Sequence, residues 1–89
     1  MDERYYKLRR ILGQNKKWPL KYMFKFIVPN RDGKVDKVIA VFPPEAKKTF
    51  KYTSSLKYVS ITCVLDMKDA DGIIEITEAA MSVEGVMML

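Results

Sequence analysis

The side chains able to do chemistry in this chain are few, and the missing ones narrow the field first. There is no histidine, which removes the commonest general base near neutral pH and the commonest metal ligand. The only cysteine, Cys63, sits inside an apolar alternating run, where its ordinary role is that of a small buried hydrophobe. A solitary cysteine cannot staple the chain, so a reducing, cytoplasmic setting is expected. The carboxylates Asp69, Asp71, Glu75 and Glu78 fall at helical spacing on one exposed helix. That is a solvated face rather than a converging acid–base pair. Neither a glycine-rich phosphate loop, nor a structural zinc set, nor a calcium-loop spacing is present. The expectation is therefore a protein that is not an enzyme and uses no cofactor and no metal.

What remains is binding chemistry. Lys25 interrupts the apolar and aromatic run Tyr22, Met23, Phe24, Phe26, Ile27, Val28, and a cation placed there has to be accommodated by the element that carries it. From Met1 to Lys57 fifteen Lys or Arg stand against five Asp or Glu, whereas from Tyr58 to Leu89 only Lys68 opposes six acids. The two segments carry +10 and −5. Such a split can signal affinity for nucleic acid or an anionic surface; it can equally be two solvated helices of opposite sign lying side by side, and that plainer reading is the one expected.

The elements that must position these residues follow from periodicity. Asp2 to Leu12 places Tyr5, Leu8, Ile11 and Leu12 at helical spacing, with acids in the first turn and Arg9-Arg10 in the last, as the helix dipole prefers. Gly13 can stop it, and the connector to Lys17 divides a helix and linker, 1–17, from the main domain, 18–89. Trp18-Pro19 leads into a first strand from Lys21 to Val28, ended by Pro29. After the turn Asn30 to Gly33, the positions Val35, Val38, Ile39 and Phe42 predict an amphipathic helix stopped by Pro43-Pro44. A second strand, Lys47 to Thr53, alternates Phe50 and Tyr52 with Thr49, Lys51 and Thr53, which predicts one buried and one wet face. Ser54 to Lys57 turns the chain into a third strand, Tyr58 to Met67. A second helix from Asp69 directs Ala70, Ile73, Ile76, Thr77 and Ala80 inward, and Gly85 introduces a last strand, Val86 to Leu89.

This order predicts an α+β fold: a ferredoxin-like βαββαβ sandwich, with a four-stranded antiparallel sheet in the spatial order fourth, first, third, second. Two helices cover one face, and an N-terminal helix precedes them. Since Phe24 and Phe26 must face the helices, Lys25 takes the opposite, open face. Lys51, Ser60 and Thr62 project there too, which makes the open face polar and basic. The longest apolar runs fall far short of the roughly 20 residues of a membrane span. The Asp2-Glu3 start lacks the basic region of a secretory signal, so no membrane association is expected.

The run Phe24-Lys25-Phe26-Ile27-Val28-Pro29, the serine-rich turn leading to Tyr58-Val59-Ser60-Ile61-Thr62, and the ending Val83-Glu84-Gly85-Val86-Met87-Met88-Leu89 resemble the YbeD-like family, domain of unknown function 493. The resemblance covers roughly Trp18 to Leu89. It implies a ferredoxin-like fold similar to the ACT regulatory domains, in small bacterial cytosolic proteins without an established activity, and no catalytic residues. One position departs from the family pattern: Leu56 stands where a glycine is usual, and leucine tolerates positive φ badly. In ACT domains the exit loop of the first strand forms an effector site. The matching region here is Asn30-Arg31-Asp32-Gly33, where Asn30 or Asp32 could receive an amine and the helix N-terminus a carboxylate; the same residues are also ordinary turn and helix-cap chemistry.

The expected function is a non-catalytic regulatory or interaction module whose candidate ligand-binding residues are Lys25, Asn30, Asp32, Gly33, Lys51, Ser60 and Thr62, with a small-molecule effector or a protein as partner. The alternative is RNA or other nucleic-acid binding through the basic open face, as in RRM domains of the same topology. That alternative is weakened because Tyr58 is the only ring placed to stack there. Self-association is a further expectation. The last strand carries no side-chain charge, and an unguarded edge is either covered, here by the N-terminal helix, or paired in a homodimer.

Overall fold

The computed structural model describes Lys7, Arg10, Ile11 and residues 18–89. Apart from those three residues, the expected N-terminal helix lies outside the described residues. The elements are β1 (Leu20–Pro29), α1 (Lys34–Ile39), β2 (Lys47–Tyr52), β3 (Tyr58–Met67), α2 (Ala70–Met81) and β4 (Met87–Met88). The strands form one sheet in the order β2-β3-β1-β4 with every neighbouring pair antiparallel. This is the expected spatial order, an α+β arrangement compatible with the ferredoxin-like topology.

β1 and β3 are the two long central strands, and their registers align the apolar residues of each. Phe24 lies opposite Cys63, Phe26 opposite Ile61 and Val28 opposite Val59, and all six are buried. Onto this face α1 delivers Val38, and α2 delivers Ile73, Ile74, Thr77 and Ala80. The Phe42 ring closes the layer at 5.3 Å from Phe24 in an edge-on arrangement. Buried aromatic side chains of this kind each contribute about 1.5–3 kcal/mol through apolar burial. Thr77 stays satisfied in the core because its hydroxyl donates to the Ile73 carbonyl at 2.8 Å. The start of α2 is fixed by Asp69, whose extended backbone lets Oδ1 accept from the Gly72 N–H at 2.8 Å.

Several boundaries differ from the sequence expectation, each for a local reason. β1 runs through Pro29, which pairs with Tyr58 at the last rung. The first helix ends at Ile39 rather than Phe42, because the bonds Val41 N–H to Val38 O and Phe42 N–H to Ile39 O tighten the last turn. A residue before proline avoids the α region, so Phe42 ends the turn yet still reaches the core. β4 is two residues long instead of four: the Val86 N–H is used by the turn after α2, donating to the Val83 carbonyl. Ile74, absent from the expected stripe, is buried beside Ile73.

The largest correction concerns β2. Its alternation predicts a buried face, yet Phe50 is 42% and Tyr52 55% exposed. Both residues do point to the helix side, opposite Ile61 and Val59. However, among the described helices the short α1 packs mainly on β1 and α2, and α2 on β3, so these two leave the outer side of β2 exposed. Among the described residues the basic side chains lie on strands and loops as well as in helix, and α1 itself mixes Lys34 and Lys37 with Asp36.

Candidate functional site

Strand alternation assembles the open sheet face. From the buried positions Phe24 and Phe26, parity sends Lys21, Met23, Lys25 and Ile27 to the other side. Register then sets the rungs. Thr49, Thr62 and Lys25 lie across three neighbouring strands, and Lys51, Ser60 and Ile27 form the next rung. Lys25, Lys51, Ser60 and Thr62 are thus brought together, with both hydroxyls between the two lysines. Sequence reasoning missed Lys21 and Lys47, which share the face by the same parity. Lys21 lies opposite Asp66, the one acid on the face among the described strand residues, and Lys47 opposite Val64; Glu45 lines a hollow with both lysines and Asp66. The signal was available, since each is four residues from an identified lysine on its own strand.

Asn30, Asp32 and Gly33 occupy a different place. They form the loop after β1, at the end of the sheet where the β2–β3 hairpin turns. Asn30 is committed to structure: its backbone N–H donates to the Lys57 carbonyl and its Nδ2 to the Leu56 carbonyl, each at 2.9 Å. Asp32 (φ 55°) and Gly33 (φ 68°) are both left-handed, which turns the chain into α1 without a side-chain cap. The Asp32 carboxylate lies 3.9 Å from Arg31 Nε, and both side chains are well exposed, a geometry worth little energetically. The loop and the open face meet at the Pro29–Tyr58 rung, where Pro29, Asn30, Arg31, Leu56, Lys57 and Tyr58 line a hollow of about 430 Å³. Arg31 and Lys57 extend the basic character of the sheet face onto this rim.

The hairpin holds Leu56 at φ 61°, so the turn keeps the conformation a glycine would take, with leucine in its place and exposed. The turn closes by the Leu56 N–H donating to the Thr53 carbonyl at 2.9 Å. Cys63 is fully buried, and burial pushes its thiol above its ordinary value, partly opposed by the Lys48 ammonium. A thiol held protonated is a poor nucleophile. Burial likewise raises the Tyr22 phenol. The arrangement is suited to holding an anion by charge and hydroxyl donors.

Residues 14–89 match the family described as a protein of unknown function, DUF493. The chain belongs to the DUF493 family. No curated protein matches it, and no solved structure does. The DUF493 match takes in the whole sheet, both described helices and every candidate site residue. Among the described residues, no helix is long and apolar enough to cross a membrane.

Proposed function

We propose that this DUF493 chain is a non-catalytic regulatory or interaction module, ACT-like in architecture, whose open sheet face receives an anionic small molecule or an acidic protein partner. The observation that carries this reading is the convergence of Lys21, Lys25, Lys47 and Lys51 on one sheet face around Ser60 and Thr62, with Asp66 the one acid there among the described strand residues and Glu45 beside Lys21 and Lys47 at one end. The hollow at the Pro29–Tyr58 rung, with Arg31 and Lys57, is the natural extension of this surface for a ligand longer than one rung. Single-stranded RNA is a second reading, favoured by Tyr58, which is exposed at the end of the same face.

Titration of the isotopically labelled full chain separates these readings. The probes are a panel of carboxylate and phosphate metabolites, a polyglutamate peptide and an oligouridylate. The proposal expects the amides of Lys25, Lys51, Ser60 and Thr62 to move with a metabolite or the peptide. Lys25→Met should weaken that binding about tenfold, as loss of one charged hydrogen bond does, with the melting temperature unchanged because Lys25 is a surface residue. Shifts with oligouridylate alone would favour the RNA reading. Equal affinity of the Lys25→Met protein for every probe would reject the open face.

A further inference from the structure

The outer edge of the sheet carries an exposed aromatic pair that the helix layer leaves bare. On β2, Lys48, Phe50 and Tyr52 face the helix side, opposite the fully buried Cys63, Ile61 and Val59. The neighbouring strand is therefore sealed while β2 itself is open. β2 is also an edge strand of the sheet, so one row of its backbone N–H and C=O groups has no strand among the described residues to pair with. At one end of this edge, a hollow of about 270 Å³ lies between Tyr52 and the loop Asn30 to Asp36. A groove made of an unpaired strand edge, two aromatic rings and a terminal socket is suited to an extended segment.

The charges select which segment. Lys47 and Lys51 stand on the open face of β2, and Lys48 on the helix side. If β2 paired antiparallel with β2 of a second copy in the register centred on Thr49, Lys47 and Lys51 would face each other across the new ladder, and like charges directly opposite are unfavourable. A strand alternating acidic and apolar residues has the reverse relation. Its acids would lie beside Lys47 and Lys51 on one face, and its apolar side chains would cover Phe50 and Tyr52 on the other.

We propose that β2 is a strand-addition site for an extended, alternating acidic–apolar segment of a protein partner, which would complete the layer over Phe50 and Tyr52. This goes beyond the open-face reading and does not need Lys25.

The test uses the full chain and a capped ten-residue peptide of alternating glutamate and valine, with an alternating lysine–valine peptide as control. The glutamate peptide is expected to slow hydrogen exchange at alternate amides within Lys47 to Tyr52, and the lysine peptide to leave them unchanged. Combined Lys47→Glu and Lys51→Glu should weaken binding at least tenfold, as should Tyr52→Ser. Phe50→Ser supplies the same readout if the Tyr52 variant loses its fold. Lys25→Met should leave this binding intact, which separates failure here from failure of the open-face proposal. The inference is overturned if the glutamate peptide does not bind, if protection appears outside β2, or if both peptides bind equally. It is also overturned if light scattering gives a dimer whose β2 amides are already protected without peptide.

Discussion

Leu56 is the residue whose local conformation and chemical type disagree most. Its φ of 61° costs an L-residue about 1–2 kcal/mol, and its side chain, 62% exposed, recovers little by packing. Leu56→Gly should therefore stabilise the fold by about 1 kcal/mol and raise the melting temperature by about 4–8 °C; a lower melting temperature would show that the leucine is held by contacts. Cys63 offers a pH test. Its folded thiol titrates above its ordinary value of 9.0, so its stabilising contribution is fully present below that pH. It is lost as pH rises through the folded value, because the unfolded chain releases the proton first. Cys63→Ala should flatten the fall of the urea midpoint as pH rises above the ordinary thiol value of 9.0, and parallel profiles for the two proteins would contradict this. The strain at Leu56 was legible as a conflict with the family pattern. The Asn30 clamp on its carbonyl was not, since those residues are 26 positions apart.

At the scale of elements, coverage decides what strand pattern does not. β1 and β3 lie under helices and bury one full face, while β2 shows the same alternation and buries almost nothing. The return from α2 to β4 depends on Gly85, which has φ 85° and whose Cβ, if present, would lie 2.8 Å from Pro29 Cγ. Gly85→Ala should cost about 1–3 kcal/mol through backbone strain, in addition to that clash. Hydrogen exchange should quicken at the Leu89 amide, which donates to the Lys25 carbonyl at 2.9 Å. Unchanged protection at Leu89 would mean that β4 holds its place without this turn.

For the whole molecule, 89 residues imply a total stability of about 4–13 kcal/mol. Phe26 is 1% exposed at the centre of the sheet and lies within 6.5 Å of both Phe24 and Phe42, ring to ring. Phe26→Ala should cost about 3–5 kcal/mol, a large share of that total. Calorimetry should show a loss of tens of degrees or no transition at all, and a shift of only a few degrees would remove Phe26 from the core. Charge is also organised at this scale. Lysines dominate the open sheet face, and Asp71, Glu75 and Glu78 stand exposed on α2 across the sheet. Stacking two copies open face to open face would bring their lysines together, which disfavours a symmetric pair on that surface.

The sequence by itself determined which side of each strand a residue takes, because alternation is a property of the strand's own backbone. Phe24 and Phe26 inward, Lys25, Ser60 and Thr62 outward, and the full extent of β3 all follow from it. It determined the strand order as well, since two interlocked βαβ units leave few arrangements. Only the tertiary structure decided whether a face is covered. That depends on the length and placement of helices distant in sequence, so the exposure of Phe50 and Tyr52 had no local signal. Tertiary structure also decided that Asn30 ties the β1 loop to the hairpin while Lys25 and Lys51 share the sheet face. The candidate residues thereby separate into a structural clamp and an exposed basic face, because a side chain's role is set by the partners the fold brings to it.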